Sequence, residues 1–188
     1  MKKNRIFFLL MVLLSFSLLV ICCEKDDEAH LPDITNTGEN TFGCLINGEV
    51  WRPEGQILSY PEFSIIHDQY NEVDFLNLVV RESSKSGFRF SIPKDLIKIG
   101  EINLKKSFGS EAGVNYTDAY GKEYKWNSEN YGEFIVINLD TITNEANVTP
   151  YRIIAGTFWF DLVSNEGELI KIREGRFDFK DYSNDYLK

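Results

Sequence analysis

At 188 residues the chain has room for one domain once its N-terminal segment is set aside. Aromatic residues make up 14% and turn residues punctuate the chain, which argues for a folded β-rich domain over disorder. The formal charge is −9, and without the leader residues Lys2, Lys3 and Arg5 it is −12, with 17 Lys and Arg against 29 Asp and Glu, a surface that repels phosphate backbones and argues against nucleic acid as a partner.

Lys2, Lys3 and Arg5 form a short positive start, and Ile6 to Ile21 is apolar but for Ser15 and Ser17. The run is short for a spanning helix, and its flanks suit a secretory signal. A permanent membrane anchor ranks second, because a cysteine sits where the apolar run ends. Val20-Ile21-Cys22-Cys23 resembles the lipobox of bacterial lipoproteins, with branched residues ahead of a small residue and then the acylated cysteine. Cys22 stands where Gly, Ala or Ser is usual, but a cut before Cys22 would follow bulky Ile21. The resemblance implies a signal peptide over residues 1–22, a palmitate-type anchor on Cys23, and membrane contact through that lipid.

Glu24, Lys25, Asp26, Asp27 and Glu28 follow at once. This run resembles the lysine-plus-acid export tag of surface-exposed Bacteroidota lipoproteins. It implies an outer-membrane protein facing the medium; the alternatives are a plain acidic linker and the periplasmic face. Residues 23–41, with Pro32, Asn36, Gly38 and Asn40 and no apolar periodicity, read as a flexible tether. As coil, Glu24–Thr41 spans about 23 Å, with a stretched limit of about 60 Å. With Cys22 removed and Cys23 lipidated, Cys44 has no partner in the chain, which excludes a disulfide framework and a Cys-based metal site.

The domain is expected over residues 42–182, with 183–188 as a frayed tail. Phe42–Ile46 and Glu49–Arg52 flank Asn47-Gly48, a dipeptide suited to a two-residue type I′ turn. That turn sets Ile46 opposite Glu49, Leu45 opposite Val50 and Cys44 opposite Trp51. Phe42, Cys44, Ile46 and Trp51 then share a face, and Cys44 reads as a small core residue. Further strands are predicted at Phe63–His67, Val73–Arg81 and Phe88–Ile92. Pro93–Gly100 has room for one helical turn. Glu101–Lys105 and Gly132–Asp140 follow as strands, the latter apolar on both sides and so expected to be central and covered on both faces.

At the C-terminal end Phe158, Phe160, Leu162, Ile170 and Ile172 share parity. A common face requires Leu162 opposite Ile170 and Phe160 opposite Ile172, with a three-residue loop Asn165-Glu166-Gly167. Beyond Ile172 the apolar residues switch parity to Phe177 and Phe179, which predicts a bulge around Glu174-Gly175. The shifted register places Gly156 opposite Phe177 and Ile154 opposite Phe179.

Two motifs bracket this domain: Phe42-x-Cys44-x-Ile46-Asn47-Gly48-x-x-Trp51-x-Pro53, and Ile154-x-Gly156-Thr157-Phe158-x-Phe160 with Gly175-x-Phe177. They resemble the opening and closing strands of an uncharacterised family of Bacteroidota outer-membrane lipoproteins. That family has no established activity, so the resemblance carries over no catalytic residue.

Catalytic signatures are sparse. His67 is the domain's lone histidine and reads as structural or surface. No calcium loop, phosphate loop or dinucleotide fingerprint occurs, and no cofactor is implied. A glycosidase-like carboxylate pair assembled from distant strands has no positive sign. Tyr116, Tyr120, Tyr124 and Trp126 form the one candidate ligand-binding stretch, because aromatic faces stack on sugar rings. The favoured alternative is a hairpin whose rings pair across strands. Asn115-Tyr116-Thr117 and Asn147-Val148-Thr149 fit the N-glycosylation pattern, which carries little meaning in a bacterium, and Asp140-Thr141-Ile142 resembles a Bacteroidota O-glycosylation motif.

The sequence therefore predicts an all-β domain, an antiparallel β-sandwich with a lipocalin-like closed barrel as alternative. The expected role is a non-enzymatic surface module with a glycan or surface-protein partner. A glycan-binding accessory of a polysaccharide uptake system is the second reading, and a hydrolase the third.

Overall fold

A computed structural model describes residues 30–53, 63–82, 86–102, 113–126, 129–143 and 150–182. The compact unit that contains the strands begins at Leu31. Its described strands, in chain order, are β1 (Thr41–Ile46), β2 (Glu49–Trp51), β3 (Phe63–Tyr70), β4 (Val73–Arg81), β5 (Gly87–Pro93) and β6 (Gly100–Ile102). They continue with β7 (Gly113–Thr117), β8 (Glu123–Lys125), β9 (Gly132–Asn138), β10 (Thr141–Ile142), β11 (Tyr151–Ser164) and β12 (Leu169–Asp181). A single 3₁₀ turn, Lys94–Leu96, occupies the segment after Pro93 where one helical turn is predicted. Of the strand predicted at Glu101–Lys105, β6 covers the start and residues 103–105 lie outside the described residues.

The two hairpins form in the predicted registers. In β1–β2, Ile46 pairs Glu49, Leu45 pairs Val50 and Cys44 pairs Trp51, with φ of 53° at Asn47 and 93° at Gly48. Both central residues of the turn thus occupy the positive-φ region that a type I′ hairpin needs. In β11–β12, Leu162 pairs Ile170 and Phe160 pairs Ile172, and Gly167 closes the loop at φ 84°. The register then slips: Phe158 pairs Gly175, Gly156 pairs Phe177 and Ile154 pairs Phe179. The extra residue is accommodated at Glu174, whose φ is 50°, and β1 shows the same shift between Gly43 and Leu45. One bulge therefore bends β12 against both of its neighbours.

All described pairings are antiparallel and join into one sheet, ordered β2-β1-β12-β11-β8-β7-β5-β4-β3, with β9 and β10 also on β11 and β6 on β9. The sheet curls until its two ends share a core. Phe63 of β3 packs against Phe179 of β12 with ring centroids 5.0 Å apart and planes tilted by 43°, and Trp51 of β2 meets Phe88 of β5 at 5.0 Å. Phe42, Phe88, Phe90, Phe134, Phe158 and Phe160 connect through further ring contacts. Each of these buried rings contributes about 2–3 kcal/mol of transfer free energy, so the curl is driven by aromatic burial. This is an all-β antiparallel fold with a sandwich-like, ring-filled core. The single curled sheet has the form of a half-barrel, so it is consistent with both the sandwich and the barrel-like expectation.

Two expectations are corrected. β9 does lie between β11 and β6, but only one face is covered: Phe134 and Val136 are buried, while Ile137 is exposed. The flexible tether predicted to run to Thr41 is too long. Thr37, Gly38 and Glu39 donate backbone N–H groups to the Asp178 carboxylate at 3.1, 2.7 and 3.1 Å. Arg176 donates to the Pro32 carbonyl, and Asn138 to that of Asn36. Leu31–Asn40 is thus a strap across the outer side of β12, fixed because a buried carboxylate needs donors and a turn-rich segment supplies them. The predicted leader, residues 23–29 and the tail 183–188 lie outside the described residues.

Candidate functional site

The aromatic stretch is not a stacking surface. β7 alternates Val114 and Tyr116 inward with Asn115 and Thr117 outward, and Tyr116, Tyr124 and Trp126 are all buried. Tyr116 and Tyr124 are directly paired across β7–β8, with ring centroids 6.1 Å apart. Burial pushes the Tyr116 phenol above its usual range, helped by the nearby Glu82 and Asp118 charges. Tyr120 alone is exposed, at the tip of a loop organised by Asp118, whose carboxylate accepts from the Tyr120 and Lys122 amides. Lys122 bridges to Glu168 at 2.6 Å, tying this loop to the β11–β12 turn, and that hydrogen bond holds its ammonium pKa above the usual value. The rings pair across strands because alternation turns them inward, so the favoured alternative is the one the structure takes.

Cys23, Glu24, Lys25, Asp26, Asp27 and Glu28 lie outside the described residues, as does Asn147-Val148-Thr149. Thr141, of the O-glycosylation-like motif, is exposed on β10. His67 points inward, and its Nε2 lies 3.1 Å from Asp181, which also receives Arg152 at 3.3 Å. This buried cluster joins β3 to the ends of β11 and β12.

The polar surface most suited to a ligand is the outer face of β3, β4, β5, β7 and β8. Its side chains fall in rows fixed by the ladder. One row runs Val79, Arg89, Asn115, Lys125; the next runs Arg81, Gly87, Thr117, Glu123; a third runs Asn77, Ser91, Gly113. The glycines leave dips. Gly87 adopts φ 147°, and a Cβ there would strike the Val80 carbonyl oxygen, so the position accepts no side chain.

Above Gly87 lies a hollow of about 400 Å³ walled by Arg81, Arg89, Asn115, Thr117 and Glu123. A second, of about 420 Å³, is lined by Asp68, Tyr70, Phe75, Asn77, Arg89 and Ser91. Arg89 belongs to both. Beneath it the surface is prearranged: Asn77 donates to Asp68 at 3.1 Å and accepts from Ser91 at 2.6 Å, while Arg81 donates to Ser64 at 3.1 Å. Arg152, Arg173 and Arg176 each lie within 4.0 Å of a carboxylate, whereas Arg81 and Arg89 have no such partner among the described residues. In a chain this acidic, two guanidinium groups on one face without a carboxylate partner among the described residues stand out chemically: Arg81 keeps N–H groups beyond the one given to Ser64, and Arg89 offers a planar N–H fork to an anion.

Sequence reasoning missed this face. Asn115 and Thr117 sit within the aromatic stretch as the outward partners of the rings. Their alternation was the available signal, but the β5–β7 pairing that brings Arg89 beside Asn115 joins residues far apart in the chain. No three His, Cys, Asp or Glu side chains gather as a metal site among the described residues. No protein-family model, curated protein or solved structure matches the chain.

Proposed function

We propose that this chain is a lipid-anchored binding module at the outer-membrane surface, held through Cys23, which binds its ligand on the outer face of β3–β4–β5–β7–β8 and performs no catalysis. The leader and the Cys23-Glu24-Lys25-Asp26-Asp27-Glu28 run support the anchorage.

The observation that carries the binding reading is the pair of polar hollows meeting at Arg89, built on paired strands that need little reordering to engage a ligand. Geometry also speaks for binding over hydrolysis. The hollows' carboxylates, Asp68 and Glu123, sit on β3 and β8, four strand spacings apart in the sheet. That is about 19 Å at 4.8 Å per strand, well beyond the 5–9.5 Å used by glycosidase pairs.

Two measurements test the proposal. Radiolabelled palmitate should enter the wild-type chain and not Cys23→Ala, and protease added to intact cells should remove the domain. Cells that carry the protein should retain at least one labelled ligand, from a panel of neutral glycans, anionic glycans and secreted proteins, above the level of cells lacking it. Retention of none would end the binding reading.

A further inference from the structure

Resting on that reading, we propose that the Arg81–Arg89 hollow binds the anionic group of an acidic glycan, a uronate or sulfated sugar, while the adjoining hollow holds the next sugar unit. The first part rests on geometry at Gly87. Arg81 pairs directly with Gly87, and Arg89 lies two residues along on the same face of the same strand. Gly87 contributes only backbone to the hollow that Arg81 and Arg89 line, and Asn115 and Thr117 supply further hydrogen-bonding groups on the facing wall. Glu123 closes the far side, one strand beyond Thr117, so an anion is drawn toward the arginines.

The net charge of the chain opposes an anion only weakly at this distance. At physiological ionic strength the screening length is about 8 Å, so the nearest groups set the local field. The second hollow argues for a sugar. Beyond Arg89 it offers the Ser91 hydroxyl and the Asp68 carboxylate as hydroxyl partners, both held in place by the buried Asn77 amide, with Tyr70, 53% exposed, beside them. A peptide is the poorer fit. It binds sheets by adding a strand at an edge, whereas both hollows lie on the face, where the backbone groups of β4 and β5 are already paired in the ladder.

The test measures binding of the full lipidated chain, in detergent micelles, to immobilised polygalacturonate, dextran sulfate, neutral dextran and polyglutamate. Binding to polygalacturonate or dextran sulfate is expected, with the stronger of the two identifying the carboxylate or sulfate source. Arg89→Ala should weaken it at least 10-fold and Arg89→Lys several-fold, because lysine keeps the charge but loses the planar fork. Arg52→Ala, an exposed arginine after β2 and outside both hollows, should leave it unchanged. Thermal melting of each variant verifies folding; Arg89 is exposed, so its truncation should leave the melting temperature in place. Equal binding to neutral dextran, equal binding to polyglutamate, no binding to either anionic glycan, or an Arg89→Ala chain that binds like wild type would each overturn the proposal. If the intact-cell panel nevertheless shows a neutral glycan or a protein retained, the binding-module reading survives and only the ligand class falls.

Discussion

The ring of Phe177 lies directly over Gly156: the two are paired in the β11–β12 ladder, and a Cβ on Gly156 would stand 2.7 Å from Phe177 Cζ. It would also strike the Ile135 carbonyl oxygen on the neighbouring strand β9. One clash involves a side chain and the other a backbone. Gly156→Ala should therefore destabilise the fold by about 3 kcal/mol, the upper range of overpacking costs. Phe177→Ala should cost about 4 kcal/mol through cavity formation. In a double-mutant cycle measured by urea unfolding, removing the ring should rescue Gly156→Ala only in part, because the Ile135 carbonyl remains. Full rescue would mean that the ring is the sole obstacle.

The strap gives a second expectation. Asp178 is completely buried, and its carboxylate gathers three backbone donors from residues 37–39. Asp178→Ala leaves those donors without their acceptor, at a cost of about 3 kcal/mol once water partly replaces it. Hydrogen exchange should locate the effect. The amides of Thr37, Gly38 and Glu39 should lose protection by orders of magnitude more than those of Phe160 or Leu162. Unchanged exchange at all three would show that the strap is held by other contacts.

The elements read correctly from sequence are those specified locally. Asn47-Gly48 and Asn165-Glu166-Gly167 each fix a register by turn geometry, and the parity switch between Ile172 and Phe177 forces a bulge because both faces of a strand cannot be inward at once. What escaped was set by partners distant in the chain. Asp178 looks like an ordinary outward residue between Phe177 and Phe179 until the strap 140 residues earlier supplies its donors. Aromatic content drew attention to Tyr116, Tyr124 and Trp126, although the alternation of Val114, Asn115, Tyr116 and Thr117 marks the ring of Tyr116 as inward. Ile135 and Ile137 err the other way, being apolar yet turned toward solvent, as single surface apolar residues often are.

The bulge residue offers a stabilising change. Glu174 sits at φ 50°, a conformation that costs a non-glycine residue about 1 kcal/mol, and its side chain is largely exposed, 3.5 Å from Arg176. So exposed a pair contributes little. Glu174→Gly should raise stability by about 0.5 kcal/mol after glycine's greater unfolded-state freedom is counted. Glu174→Val should lower it by about 1 kcal/mol or more, because a β-branched residue tolerates this region worst. Urea midpoints with unchanged slopes verify both signs; a destabilised Glu174→Gly would show that the Arg176 contact outweighs the backbone strain.

Cys44 contributes to the loss of stability in alkali. Its side chain is fully buried opposite Trp51, and burial pushes its thiol well above the ordinary value of 9.0. A folded-state pKa raised in this way gives stability that is fully present below about pH 9 and is lost as pH rises, since only the unfolded chain can release the proton. The loss approaches about 1.4 kcal/mol per pH unit for this one group. Tyr116, raised in the same sense from 10.0, adds to it at higher pH. Cys44→Ala should cost about 1–2 kcal/mol at pH 7 yet lose less with alkali, so the gap to wild type narrows between pH 9 and 10.5. The same burial should leave the native thiol inert to a disulfide reagent at pH 8 and reactive at once in denaturant. Equal alkaline slopes for Cys44→Ala and wild type would show that the thiol titrates alike in both states.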